Sequence, residues 1–320
     1  MNRLAHLILF AALCAPSVLL AQSGSGSIHL LTGFVPGASG DAIARAIAEK
    51  MRASLGESVV VEAKPGAGGR IELEQLKAAK PDGKTLGLTA LTAMTAYPWL
   101  YAKLNYDPFK DFEPVAHVAN YKYVLAVAAD VKAGNLAEYV ALVQGNGKYG
   151  FYTSPAQGGG AHQAAAVFAR INKITMTYVG YKSTAPAITD MLGGQLPAMM
   201  GNVADFVQLA NQGKLKVLGV ANAARSHHLP QIATFMEQGY DIEAAGWFGI
   251  YAPAKTPAAA IARLSKAITD GVKEPDVKAL GDRLGLEVTG LGPKELAEAQ
   301  KKDYELSGSR IREFGFKLED

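Results

Sequence analysis

The chain has 320 residues, a formal net charge of +3, 49% hydrophobic and 19% charged residues, and one cysteine, Cys14. That length suits two compact units of about 100–150 residues each. The small charge, without a basic stripe, excludes nucleic acid as a partner, and a lone cysteine excludes a disulfide framework or a cysteine-metal centre.

The first residues read as an address. Met1-Asn2-Arg3 gives a short positive start, Leu7 to Leu13 is apolar, and the run continues past Pro16 to Ala21 before a Gly/Ser stretch from Ser23 to Ser27. This predicts a signal peptide over 1–21, cleaved near Ala21, and a flexible linker over 22–27, which places the mature protein in the periplasm. Leu13 stands where a lipoprotein signal needs a small residue, so lipid attachment at Cys14 is not expected. The mature chain would then hold no thiol, and no later stretch is long and apolar enough to span a bilayer.

A strand from Ile28 to Phe34 leads through the loop Val35 to Asp41 into a helix from Ala42 to Leu55. Ile43, Ile47, Met51 and Leu55 share one face of that helix, and Ser39 or Asp41 can cap it. A strand from Val59 to Glu62, the turn Pro65-Gly66-Ala67-Gly68-Gly69, a helix from Ile71 to Ala79 and a buried strand from Thr85 to Thr89 follow. The alternation predicts an α/β fold with a largely parallel sheet. Further on, Val115 to Val118 and Val124 to Ala128 read as two strands around a polar-aromatic break, Asn120-Tyr121-Lys122-Tyr123. Strands at Tyr149 to Thr153, Met176 to Val179, Leu196 to Met200 and Lys216 to Ala221 accompany helices at Gly160 to Ile171 and Ala185 to Leu192. The last third holds a strand from Trp247 to Ala252 and helices from Pro257 to Val272 and Pro293 to Phe314. Two α/β units joined by two crossings give a first domain of 28–121 with 222–320 and a second of 122–221.

Enzymatic signatures are missing. The sequence has no G-x-S-x-G, H-E-x-x-H, C-x-x-C or complete phosphate loop, and nothing assembles a nucleophile, a base and a charge stabiliser. The expectation is therefore no catalytic residue, no cofactor and no metal. His227-His228, beside Arg225, reads as a solvated loop rather than a metal site. What does carry chemistry is the glycine-containing loop from Phe34 to Asp41 before a helix. Its backbone can approach a ligand, and a helix N-terminus offers N–H groups with a positive dipole end, which suits a carboxylate. A plain helix cap by Asp41 accounts for the same residues equally well.

The order of several segments adds to this. Val35-Pro36-Gly37-Ala38-Ser39-Gly40-Asp41 resembles PGGSTD, and the run from Val59 to Gly69 resembles VVVENRPGAGG. Pro81-Asp82-Gly83-Lys84-Thr85-Leu86, the run Tyr106 to Phe112, Tyr178-Val179-Gly180-Tyr181-Lys182, the run Asp190 to Gln195 and the run Gly246 to Pro253 follow in family order. Together they resemble the substrate-binding proteins of tripartite tricarboxylate transporters, the Bug receptors, over nearly the whole mature chain. The resemblance implies a two-lobed periplasmic-binding-protein fold, type II-like, with a ligand cleft between the lobes. It also implies a monomer that is not an enzyme, which captures a small carboxylate and delivers it to membrane transporter subunits. Carried over, the ligand-binding positions are Phe34, Ser39, Gly40, Asp41 and Thr92 on one lobe. On the other they are Ser154, Gly158, Gly159, His162, Tyr178, Tyr181, Asn202, Val203 and Asp205.

Departures fall in the expected pocket. The family's Y-G-S-x-G-N-G-[ST]-[ST]-x-H is here Tyr152 to His162 with Gly159 and Gly160 in place of two hydroxyl residues. Met94, Tyr97 and Trp99 occupy a segment where the family carries small polar residues. A ligand bulkier or flatter than a C4 dicarboxylate, an aromatic mono- or dicarboxylate, is the expectation. Two other readings compete: a ligand-sensing adaptor for a membrane sensor kinase, and an exported hydrolase.

Overall fold

The computed structural model describes residues 26–181 and 183–315. The expected signal peptide and most of the linker lie outside them, and so does Lys182. In chain order the first half comprises β1 (Ile28–Thr32), α1 (Ser39–Leu55), β2 (Val59–Ala63), α2 (Arg70–Ala78), β3 (Thr85–Ala90), α3 (Leu91–Thr95), α4 (Tyr97–Leu100) and β4 (Phe112–Ala128). The middle adds α5 (Leu136–Gly145), β5 (Phe151–Thr153), α6 (Gly160–Ile171), β6 (Thr177–Tyr178), α7 (Thr184–Leu192), β7 (Ala198–Asn202), α8 (Val203–Asn211) and β8 (Leu215–Val220). The last third is β9 (Ala245–Pro253), α9 (Ala258–Val272), α10 (Pro275–Arg283), β10 (Leu286–Leu291) and α11 (Pro293–Phe314).

Local chemistry accounts for the elements. The apolar stripe of α1, Ile43, Ile47 and Met51, is fully buried, as a 3.6-residue period against a sheet demands. The helix ends at Gly56, whose left-handed backbone (φ 66°) lets its N–H bond the Arg52 carbonyl. Asn135 caps α5 by accepting from the Glu138 N–H at 2.9 Å. That helix, with α8, α10, β10 and the short α3 and α4, was not anticipated from the sequence pattern.

Two α/β lobes result. In the first, β1 pairs in parallel with β2 and β3, while β9 joins β3 antiparallel. In the second, β5 pairs in parallel with β6 and β7. The sheets are therefore mixed rather than largely parallel, because the long connecting strands run against the parallel sets. The main one is β4. Its residues 112–122 pair with β9, Tyr123 to Val127 pair with β7, and Val124 to Ala128 pair with β8.

The expected break at Asn120 to Tyr123 is thus continuous strand. Asn120, Tyr121 and Lys122 lie in the ladder opposite Trp247, Gly246 and Ala245, and both tyrosines are buried. In the ladder to β9 the irregularities fall earlier, between Pro114 and Ala116 and between His117 and Ala119, and in the ladder to β8 later, between Leu125 and Ala126. The segment after β8 also differs from expectation in its packing. The Phe235 and Tyr240 rings lie 5.5 and 5.1 Å from that of Phe168 in the second lobe.

One core group breaks the apolar rule. Glu72 on α2 is fully buried, and neither carboxyl oxygen has a hydrogen-bond partner. Its Oε1 occupies the space where a side chain on Gly87 would begin, 2.1 Å from that Cβ position. Burial pushes the carboxyl well above its ordinary value near 4.5. The folded state keeps a proton that the unfolded chain releases, so stability falls as pH rises from about 4.5 towards the folded value. Glu72→Met, similar in volume and without polar atoms, should therefore stabilise the protein by about 1–3 kcal/mol at pH 8. In urea unfolding the gain should shrink towards pH 4.5; an equal gain at both pH values would contradict a protonated Glu72.

Candidate functional site

In open α/β sheets the carboxyl ends of parallel strands face the ligand crevice. Here those ends are Thr32 and Ala90 in one lobe and Thr153, Tyr178 and Asn202 in the other. Most of the expected ligand positions lie in the loops and helix starts that follow them.

On the first lobe, the extended residue before α1 is Ala38, so neither Ser39 nor Asp41 is its N-cap. Asp41 lies inside the first turn, buried, and acts backwards. Its Oδ2 accepts from the Gly37 N–H at 3.0 Å and from Arg45 Nε at 2.9 Å, and its Oδ1 accepts from Arg45 Nη2 at 2.9 Å. Burial alone would raise the carboxyl; the bonds from Arg45 and Gly37 outweigh it and hold the group below its ordinary range. The loop is pinned and its charge is offset. The first-turn N–H groups, which have no partner within the helix, are left without a fixed negative charge competing for them. The Phe34 ring lies over Gly40, where an added Cβ would fall 2.4 Å from the ring.

The second lobe offers a matching helix start. Gly159, extended, precedes α6, and the Gly158 N–H donates to His162 Nδ1 at 2.8 Å. Gln163 Nε2 donates to the Gly158 carbonyl at 2.9 Å, so one turn of helix fixes the loop from both sides. His162 is buried and stacks on Tyr178, with ring centroids 4.5 Å apart and planes 10° off parallel. Burial lowers its pKa to about 4, which keeps it neutral with Nδ1 as the acceptor. The Ser154 hydroxyl donates to the Ala156 carbonyl at 3.2 Å.

The lobes meet between these two helix starts. A Cβ on Gly159 would fall 3.1 Å from Thr92, and one on Gly158 would fall 2.4 Å from Leu100. Beneath them runs a chain of rings: Phe34 to Phe248 at 5.1 Å, Phe248 to Tyr121 at 4.9 Å and Tyr121 to Tyr123 at 5.5 Å. It ends against Gly160, whose Cβ position is 3.1 Å from the Tyr123 ring. Tyr121 and Tyr123 were missed as site residues. Their i, i+2 spacing on one strand face was the available signal, hidden by reading the segment as a break.

The remaining positions divide. The Tyr181 hydroxyl donates to Asp190 Oδ2 at 2.7 Å, and Val203 is fully buried beside Phe206; both side chains are occupied by packing within the lobe. Asn202 Oδ1 and Asp205 Oδ2 are buried without a hydrogen-bond partner. Burial raises the Asp205 carboxyl to about 6, against a bond from the Asn202 backbone. Met94 and Trp99 pack elsewhere than the sequence comparison implied. Met94 is fully buried in the cluster that holds Leu296 and Ile311 of α11. The Trp99 indole donates to the Tyr304 carbonyl of α11 at 3.0 Å. Tyr97 is buried, with its hydroxyl against Gly68. A cavity of about 740 Å³ is lined by Lys77, Tyr101, Asp107, Phe109, Asp111 and Tyr304 and by no member of the ring chain.

Residues 43–316 match the family described as tripartite tricarboxylate transporter family receptor, TctC. A UPF0065 protein from the tcbD–tcbE intergenic region of Pseudomonas sp. (strain P51) is 31% identical over 284 residues, 88% of this chain and 84% of its own. The solved periplasmic binding protein BugD has a TM-score of 0.83 at 29% identity, covering 91% of this chain and 99% of that one. MatC from Rhodopseudomonas palustris, solved with bound malate, has a TM-score of 0.81 at 26% identity, covering 89% and 98%.

The neutral, buried His162 makes the protein acid-labile. Between its folded value of about 4 and the ordinary 6.5, the unfolded chain binds a proton that the folded protein does not. Stability therefore falls as pH drops through that window, by a loss on the order of 3 kcal/mol. His162→Gln should flatten that slope when urea midpoints at pH 4.5 and 7.5 are compared. An unchanged slope would mean that His162 titrates normally.

Proposed function

The chain belongs to the tripartite tricarboxylate transporter receptor family, and from that premise we propose that it is a periplasmic receptor for a small aromatic carboxylate. The observation that carries this reading is the pair of helix N-termini, α1 and α6, that meet from opposite lobes above a floor of aromatic rings. Malate bound to the structural neighbour MatC supports a carboxylate as the ligand class. The aromatic preference rests on the ring floor alone, since Met94 and Trp99 pack against α11 and Leu100, Thr92 and Tyr123 occupy the space beside Gly158, Gly159 and Gly160.

In this reading the carboxylate lies between the first-turn N–H groups of Ser39, Gly40 and Asp41 and those of Gly160, Ala161 and His162. The Ser39, Thr92 and Ser154 hydroxyls add donors. The ligand ring rests on Phe34 and faces the His162–Tyr178 stack. Asn202 and Asp205 receive donors from the ligand or from a water molecule. Val203 contributes only its backbone, and the Tyr181 ring contributes wall. No bond of the ligand is broken, and the closed receptor hands it to the membrane subunits of a tripartite transporter.

Closure is a population shift. A ligand that touches both helix starts fits the closed form better than the open one, and that difference alone sets how far it biases closure. The hinge lies where β4 passes from β9 to β7, between Lys122 and Tyr123, and at the return into β9. The two domains are then 28–122 with the chain from β9 onward, and 123–244, whose last segment packs on Phe168.

A thermal-shift panel tests the ligand class. At 100 times Kd a bound ligand stabilises the native state by about 2.7 kcal/mol, and benzene mono- or dicarboxylates should give larger shifts than succinate or malate. Larger shifts with the C4 acids would overturn the aromatic preference. Ser39→Trp, at the start of α1, and Gly159→Trp, beside Thr92, should each abolish the shift by filling the space between the two helix starts, and retained affinity in both would sink the site assignment.

A further inference from the structure

Behind the ring floor, a second group of side chains comes together from both lobes. His227 and His228 follow β8, and the next residue, Leu229, is fully buried in the second lobe's core with Val203 and Phe206. Asp282 is on α10, whose Val277 is buried in the cluster with Leu286 of β10 and the α9 residues Leu264 and Ile268. The turn between α10 and β10 touches the start of α8, since a Cβ on Gly285 would fall 2.8 Å from the Ala204 nitrogen. By sequence the histidine pair reads as a solvated loop beside Arg225, and His227 is indeed exposed; Asp282, more than fifty residues away, gives no local signal.

We propose that His227, His228 and Asp282 bind a divalent transition-metal ion of the zinc or nickel class, as a strap between the two lobes. One ligand atom from each residue lies within 4.8 Å of the others. His227 Nε2 and Asp282 Oδ1 are 3.2 Å apart, close to the separation of about 3.3 Å between ligands of a tetrahedral zinc ion. The two imidazoles lie with centroids 3.8 Å apart, so a small rotation brings the third donor into range.

The chemistry of the set agrees. His228 Nε2 is buried and has no hydrogen-bond partner, and a buried donor atom left without a proton partner is costly. A metal ion would satisfy it. Lys122 and Arg225, two cations near the pair, are each engaged by a carboxylate, Glu287 at 2.7 Å and Glu237 at 2.8 Å, and Asp282 supplies the anionic ligand of the set. Two imidazoles and one carboxylate favour zinc, copper or nickel over magnesium or calcium, which prefer all-oxygen sites. Three protein ligands leave a fourth position for water.

The site shares no residue with the carboxylate cleft, and its test is read separately. Tag-free mature protein, stripped with EDTA, is titrated with zinc chloride in a calorimeter, with magnesium chloride as the control. Saturable zinc binding at one ion per chain, with no magnesium heat, is expected. Asp282→Asn should weaken zinc by about tenfold or more, and the double variant His227→Ala/His228→Ala should abolish it. Asp282 is exposed, so its variant keeps the test decisive even if the double variant folds poorly. No saturable zinc binding by the wild type, or unchanged affinity in Asp282→Asn, would overturn the proposal. The carboxylate shift, measured without metal in Asp282→Asn, should be retained, which separates failure here from failure of the receptor reading.

Discussion

A single 17-residue strand, β4, holds both lobes. Its N-terminal part is a central strand of one sheet and its C-terminal part a central strand of the other, so neither sheet is complete without it. That continuity places Tyr121 and Tyr123, two residues apart on one face, at the junction. Gly246, opposite Tyr121 in the ladder, leaves room for that ring; a Cβ there would lie 2.1 Å from it. The ring floor of the cleft follows from the strand. So does the mechanical coupling, because a rotation between the lobes has to pass through the backbone at Lys122 and Tyr123.

The long C-terminal helix supports the same junction from outside. The Trp247 indole on β9 donates to Asp303 of α11 at 2.8 Å. Farther along, Glu313 of α11 reaches Arg170 of α6 at 3.2 Å across to the second lobe. The latter pair is exposed and contributes at most about 1 kcal/mol. The buried indole bond fixes α11 against β9, and the surface pair is a contact that closure can make or break at small cost.

Charge is handled locally around the cleft. Asp41 is paired with Arg45 on its own helix, and His162 is neutral and engaged by Gly158. In the proposed receptor, recognition of an anion there would fall to backbone N–H groups and hydroxyls, aligned by two helix dipoles. Such donors are oriented before the ligand arrives, so little ordering is required of them on binding. Glu72 shows the opposite case: a carboxyl with no partner in an apolar setting, tolerated because it stays protonated.

The amphipathic stripe of α1, the exact extent of α6 and α11 and the glycine-bearing loops before the helices were all legible in the amino-acid sequence, since local periodicity and backbone freedom decide them. The order of the family segments carried the two-lobed fold as well. Several features were not legible. Asn120 to Lys122 look like a break by composition, yet their ladder to β9 makes them strand. Met94 and Trp99 sit in the segment that reads as pocket wall, yet α11, some two hundred residues later, covers them. Asp282 stands beside His227 only because the turn after α10 meets the start of α8. In each case the deciding partner is distant in sequence. Local propensity and spacing determine which elements form, while the contacts that choose each side chain's neighbour exist only once the two sheets share β4.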